Sequence, residues 1–335
     1  MKRSGIKDVA AAAGVSVATA SYVLSGTGRS SEATRKRVLA AANALGFIRD
    51  ASAARLRTGK SNLVGVILNN IINPFFSELV ASLEATVYEA GGLTLLATAQ
   101  NDPVRQEQLL ASMVAQGVGS VILSPVHGTA LADLAPMLGH GLPLVLCVRD
   151  LAGSQAAFVG VDDEKSGYLA ASCLLAAGHR SMVFIGGYPH TSTWDGRCAG
   201  IRRALARAGL PEAACRLVPG LMHPDFAEEK MLWLASQGIL PNAVICFNDD
   251  QASGAYRASR KLGMIVGRDI SIVGFDNIPQ GRILEPELTT VDIRPALIGQ
   301  MSAEIALRRV FSSTNTAPRH RLEPILVQRK SVITA

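Results

Sequence analysis

The sequence predicts an all-α helix-turn-helix head joined to a two-lobed α/β body, with parallel sheets covered by helices on both faces. Three observations predict it. The stretch from Ile6 to Leu24 holds two short helical patterns joined by a turn containing Gly14. Charge is concentrated at the start: residues 1–60 carry eleven Lys and Arg against three Asp and Glu, a net +8, while the remainder sums to −2. From Leu63 onward, continuous short apolar runs alternate with helical stretches, which is the pattern of parallel strands buried on both sides.

In the head, Val9, Ala10 and Ala13 give the first helix a small apolar face, answered by Val15, Ala20, Val23 and Leu24 from the second. Small residues suit two helices that cross steeply over a short turn. Ser16 stands at the N-cap position, where its hydroxyl can accept an amide of the second helix's first turn. An ordinary αα-corner has the same local pattern, so the rest of the chain has to decide. After the polar loop Ser25–Ser30, Ser31 caps a third helix from Glu32 to about Ala44, with Val38, Leu39, Ala42 and Leu45 at helical spacing and Gly46 as its stop. Residues 51–57 form a basic helix-prone segment too short to be stable alone in water. A small basic head on a near-neutral body is the electrostatic footprint of phosphate binding.

In the body, the strand candidates are Leu63–Leu68, Leu93–Ala97, Ser120–Ser124, Leu142–Val148, Phe158–Val161, Met182–Ile185, Ala243–Cys246 and Ile270–Gly274. The helix candidates are Phe75–Ala90, Val104–Ala115, Ala130–Leu138, Glu164–Ala177, Trp194–Ala208, Ala227–Ser236 and Gln251–Lys261. So many strands favour two lobes over one open sheet, with a ligand site beyond the carboxyl ends of the strands.

Composition narrows the function classes. The 48% hydrophobic and 18% charged content is that of a globular chain, and 335 residues suffice for two or three domains. Five dispersed cysteines without a CxxC pair read as buried thiols in a reducing compartment. The N-terminus has no apolar signal-peptide core and no run is long enough to span a membrane, so a soluble cytoplasmic protein is expected. No phosphate-binding glycine loop, G-x-S-x-G, metal-ligand spacing or supported carboxylate pair is present, and the six histidines are scattered. An enzyme is therefore not expected, and neither a cofactor nor a metal is implied.

The phrases Val15-Ser16-Val17-Ala18-Thr19-Ala20-Ser21-Tyr22-Val23-Leu24-Ser25-Gly26, Leu45-Gly46-Phe47 and Ala53-Ala54-Arg55-Leu56-Arg57-Thr58-Gly59 resemble the lactose/galactose repressor family of bacterial transcription factors. The body continues the resemblance with Asn73-Pro74-Phe75-Phe76, Val161-Asp162, Gly178-His179-Arg180, Arg197-Cys198-Ala199-Gly200, Phe247-Asn248-Asp249, Val273-Gly274-Phe275-Asp276, Leu288-Thr289-Thr290-Val291 and Pro324–Arg329. The motifs span the whole chain in the family's order. The resemblance implies a homodimer on a near-palindromic double-stranded DNA operator, with a body like that of periplasmic sugar-binding proteins. It divides the chain into a head (1–49), a hinge helix and linker (50–61) and an effector-binding and dimerisation body (62–335). Within the body, one lobe spans about 62–161 and 292–319, and the other about 162–291 and 320–335.

Carried over position by position, the resemblance places Val17, Ala18 and Tyr22 at base edges, with Ser16, Thr19 and Ser21 on the same helix. Leu56 would enter the minor groove as an apolar wedge that kinks the duplex, with Ala53 and Arg55 beside it. The family commonly has arginine where this chain has Tyr22, so base readout should lean on apolar contacts, with Arg29 and Arg55 as supplements. Effector-binding candidates are Asn73, Phe75, Ser124, Arg149, Trp194, Arg197, Met222, Asn248 and Asp276. Arg197, Asn248 and Asp276 suit vicinal hydroxyls of a sugar, and Phe75 or Trp194 suits the apolar face of its ring. Plainer readings exist: Asp276 as a helix cap, Asn248 in a strand-end turn, Arg149 in a surface ion pair, Trp194 and Met222 as packing.

Val148 replaces an aspartate found in many sugar-binding members, and Ile293 replaces a polar residue. The expected pocket is accordingly less acidic than a hexose site, which keeps a phosphorylated or carboxylated sugar open. The expected protein is an allosteric, sugar-controlled repressor. A transporter's solute-binding protein shares the two-lobed body, but it requires export, which the basic helical N-terminus contradicts. No leucine-heptad tail follows Pro324–Arg329, so a dimer is expected.

Overall fold

The computed structural model describes residues 4–26, 30–47, 61–135, 141–239, 241–311 and 317–333, with the backbone alone for 309–311. The chain divides into two units, 1–60 and 61–335.

In the first unit, α1 (Ile6–Ala13), α2 (Val17–Ser25) and α3 (Glu32–Ala44) enclose a small core of Val9, Ala10, Ala13, Ala20, Val23, Val38 and Ala42. Gly14 adopts the left-handed conformation at φ 63°, and the chain turns through 103° between α1 and α2. Side chains rarely accept that φ, so the turn favours glycine. Ser16 and Ser31 cap α2 and α3, their hydroxyls accepting the Thr19 and Thr34 amides at 3.1 and 3.2 Å. One expectation fails here. Leu39 and Leu45 are exposed, because the buried stripe of α3 is Val38 and Ala42 and Leu45 already lies at the C-cap.

In the second unit, β1 (Leu63–Leu68), β2 (Leu93–Thr98), β3 (Ser120–Leu123), β4 (Leu144–Cys147) and β5 (Ala157–Val161) join β11 (Arg319–Leu322) in one parallel sheet, ordered β11-β5-β4-β3-β1-β2. The other sheet has the order β12-β10-β9-β8-β6-β7. It comprises β6 (Met182–Ile185), β7 (Cys215–Val218), β8 (Ala243–Cys246), β9 (Ser271–Phe275), β10 (Thr289–Asp292) and the antiparallel β12 (Ile325–Val327). The two sheets share one winding, with the order reversing beside β1 and beside β6. Such switch points open ligand crevices beyond the carboxyl ends of the strands.

The helices are α4 (Pro74–Glu89), α5 (Pro103–Ala115), α6 (Asp163–Ala176), α7 (Ser192–Arg207), α8 (Pro224–Ser236), α9 (Asp249–Lys261) and α10 (Pro295–Phe311). Three helix pairs pack most closely: α6 with α7, α4 with α10, and α8 with α9. Each has a glycine at its closest approach. A Cβ on Gly200, Gly299 or Gly254 would run into the carbonyl oxygen of Glu164, Leu79 or Pro224 respectively.

All eight strand candidates form, some with shifted ends. Leu142–Val148 shortens to β4 because Val148 turns into the left-handed region at φ 64°. Of the helix expected over 130–138, the described part opens as a 3-10 turn at Leu131–Leu134 and is α-helical at Ala135. Elements not anticipated are β7, an edge strand; β10, whose Thr289 and Thr290 are buried polar residues; β11; and α10. The last return to the second sheet comes after Leu322 and not at residue 320, because Arg319–Leu322 still pair with Phe158–Val161.

Candidate DNA-reading face and effector cleft

On α2, the residues opposite the buried Ala20 and Val23 are Val17, Ala18, Ser21 and Tyr22. Ser16, Val17, Ala18 and Tyr22 are exposed, while Thr19 and Ser21 are half-buried. The surface presented by α2 carries no charge, whereas α3 exposes Arg35, Lys36 and Arg37. The other expected DNA contacts, Arg29, Ala53, Arg55 and Leu56, lie outside the described residues.

In the body, the carboxyl ends of the two sheets face one cleft, with about 670 Å³ of space that includes solvent at its mouth. One wall holds Asn69, Asn70, Ile72, Asn73, Phe75, Phe76, Val148 and Arg149, from the ends of β1 and β4 and the start of α4. The other holds Thr193, Arg197, Met222, His223, Phe247, Asn248, Asp250 and Asp276, with Ile293 beyond β10. Seven of the nine expected effector residues therefore line it. Ser124 stands behind the wall, fully buried, its hydroxyl donating to Asn69 Oδ1 at 2.8 Å. Trp194 is half-buried and packs against the Gly187 backbone outside the lining, with its buried indole N–H unpaired.

Two helix caps double as cleft residues. Asn73 caps α4, its Oδ1 accepting the Phe75 amide at 3.0 Å, and its Nδ2 donates across the cleft to Asp276 Oδ2 at 2.8 Å. Asn248 caps α9 by accepting the Gln251 amide at 2.8 Å, which leaves its NH2 as the group it can offer. Asp276 caps nothing. Its φ of 106° is rare for a side-chain-bearing residue, and its amide donates to the Val291 carbonyl at 3.0 Å.

The charges are buried. Arg197 donates to Asp163 Oδ1 at 3.1 Å and to the Phe247 carbonyl at 2.6 Å. Its guanidinium carbon sits 4.5 Å and 4.2 Å from the ring centres of Phe247 and Phe275. Burial pushes Asp163 up to about 6 despite the Arg197 charge, and pushes Asp276 up to about 7 against Arg197 and Asn73. Asp249, beneath the cleft, is held well above the ordinary carboxylate range by burial and by Asp276, and it accepts the Thr290 hydroxyl and the Ile278 amide. Arg149 donates to the Pro125 carbonyl at 3.1 Å and reaches Met222 Sδ at 4.0 Å.

Other links cross between the lobes. The Asp150 amide donates to Ser192 Oγ at 2.8 Å, and the His127 and Tyr188 rings lie 5.1 Å apart. Sequence reasoning missed Asn69, Asn70, Thr193, His223, Phe247 and Asp250. Their signal was position: Asn69 and Asn70 follow β1 directly, and Phe247 follows β8.

Among the described residues, no group of three or more His, Cys, Asp or Glu is placed to hold a metal ion. No single helix there is long and apolar enough to cross a membrane. The five cysteines are free and buried.

Comparison with known proteins agrees with this architecture. Residues 5–50 match the model for bacterial regulatory proteins of the lacI family, and residues 171–332 match a periplasmic binding protein-like domain. The HTH-type transcriptional repressor PurR of Photorhabdus laumondii is 31% identical, over 98% of this chain and 96% of its own length. The crystal structure of the lac repressor dimer bound to operator and the anti-inducer ONPF superposes with a TM-score of 0.87, at 24% identity, covering 99% of this chain and all of that one. A complex of the transcriptional regulator CelR with cellobiose superposes at 0.73, with 27% identity over 98% of this chain and all of its own. The exposed face of α2, the two sheets wound alike and the similarity to PurR along nearly the whole chain lead to one conclusion: this chain belongs to the lacI family of bacterial regulatory proteins.

Proposed function

We propose that the protein is a dimeric transcriptional repressor, acting in the cytoplasm, that reads a near-palindromic operator through Val17, Ala18 and Tyr22 of α2. A small effector of the sugar or sugar-derived class, held between the lobes, sets its operator affinity. The head is assigned to 1–49, the hinge and linker to 50–61 and the effector body to 62–335. Similarity to PurR, and the operator and cellobiose complexes of the structural relatives, support this reading.

One observation carries the control mechanism: the hydrogen bond from Asn73 in one lobe to Asp276 in the other, made across the cleft itself. An effector that inserts its own hydroxyls between them replaces one direct bond by two mediated ones and resets the spacing of the lobes. Phe75 and Phe247 supply apolar surface for a ring, while Asp276 accepts and Asn248 donates. Since the hinge segment leads in sequence into β1 of the first lobe, lobe spacing in the dimer is communicated to the hinges and the DNA.

The coupling is reciprocal: operator DNA must change effector affinity by the factor by which effector changes operator affinity. Selection from random double-stranded DNA should enrich a palindrome. Effector titrations with and without the selected operator should then differ by the same factor as the operator titrations. Failure to enrich a palindrome defeats the operator assignment, and equal effector affinities defeat the coupling.

A further inference from the structure

Two arginines line the cleft, and they differ in one respect. Arg197 is neutralised by Asp163 and held between two phenyl rings. Arg149 is 5% exposed, yet no carboxylate among the described residues forms an ion pair with it. Its partners are a carbonyl oxygen and a thioether sulfur, and neither carries a countercharge. Burial pulls its pKa down to about 10, with Arg197 adding to the effect and Tyr188 and the Asp163 already bonded to Arg197 opposing it. The backbone nonetheless places this cation here deliberately, through the left-handed Val148 and the tight turn in which the Arg149 amide donates to the Cys147 carbonyl at 2.6 Å. A buried cation without a partner is costly, and a ligand that brings the missing anion recovers the cost on binding.

The number of charges selects the anion. Arg149 is one uncompensated positive charge, and Asp250 and Asp276 stand among the residues of the other wall. A phosphate monoester, close to dianionic at neutral pH, brings a second negative charge towards a wall that already holds Asp250 and Asp276, where the remaining lining base, His223, lies beside Asp225. A neutral sugar leaves Arg149 unpaired. We propose that the effector is a polyhydroxylated monocarboxylate, of the sugar-acid class, whose carboxylate pairs with Arg149 while Asp276, Asn73 and Asn248 bind its hydroxyls. This rests on the cleft being the effector site.

The test is calorimetric titration of the full chain with matched sets: glucose, gluconate, glucuronate and glucose 6-phosphate; galactose, galactonate, galacturonate and galactose 6-phosphate; and inorganic phosphate. At least one acid is expected to bind about 10–100-fold tighter than its neutral and phosphorylated counterparts, the range of a charge-assisted hydrogen bond. Arg149→Gln should bring that ratio close to one, and Arg149→Lys should retain part of it. Thermal melts of the unliganded variants check that they fold. A neutral or phosphorylated sugar binding tightest, or an acid preference that survives Arg149→Gln, overturns the proposal. If that same binding is lost in Asp276→Asn, the cleft stands as the effector site. If no sugar of any kind binds, both readings fall.

Discussion

Asp276 stands at the centre of the residue-scale picture. It is buried, takes an uncommon backbone conformation and accepts a hydrogen bond from the opposite lobe, and burial pushes its carboxyl up to about 7. The sign of its effect on stability follows from that direction. A carboxyl whose folded pKa lies above its ordinary value contributes fully below that ordinary value, and the contribution is lost as pH rises through the folded pKa. For Asp276 at about 7 and Asp163 at about 6, body stability should therefore fall as pH rises from about 4 to 8. Asp276→Asn should flatten that slope, read by denaturant unfolding across this range; an unchanged slope would show that Asp276 is ionised at little cost. The family resemblance pointed to Arg197, Asn248 and Asp276, and all three line the cleft. It did not reveal that Ser124 spends its hydroxyl on Asn69, since a pairing over 55 positions leaves no local trace.

Among the elements, helix packing depends on missing side chains. On α7, a Cβ at Gly200 would meet the Glu164 carbonyl oxygen, with the Tyr168 amide nitrogen 2.5 Å away. Both obstacles are backbone, so neither can swing aside. Gly200→Ala should destabilise the body by about 3 kcal/mol, at the upper end for overpacking, measured by chemical denaturation. A change below about 0.5 kcal/mol, ordinary for a surface site, would mean that α6 and α7 can separate freely. Strands that are apolar and continuous, such as Leu63–Leu68, were legible because periodicity and burial agree. By contrast, β10 was hidden by its buried threonines, which read as polar until their partners are known: Thr290 bonds Asp249, and Thr289 accepts the Arg329 amide. Likewise β7, no shorter than β6 or β8, is hidden by its incomplete burial at the sheet edge, with Arg216 exposed. In the head, Ser16 and Ser31 gave both helix starts correctly because capping is a local interaction.

For the molecule as a whole, the two units are held together differently. The head has a core of seven small or medium apolar residues, whereas a single large cluster in the body draws on both sheets. Calorimetry of the full chain should show the body melting in one cooperative transition despite its two lobes. Two resolved transitions with partial recovery of one lobe would contradict this. The division into a helical head and an α/β body was readable from charge and periodicity, which are sums over many residues. The route of the chain's last passage between the sheets was not, because it turns on four residues, Arg319 to Leu322, staying paired with β5 before Pro324.

That last passage has a consequence for how the protein is made. One edge strand of each sheet, β11 in the first and β12 in the second, comes from within ten residues of the other, and α10 leaves the second sheet to pack on α4 of the first. Neither lobe can close this edge until residues 319–327 have emerged from the ribosome. The body is laced shut by one short segment, so its two lobes should acquire protease resistance together, after the head has already folded.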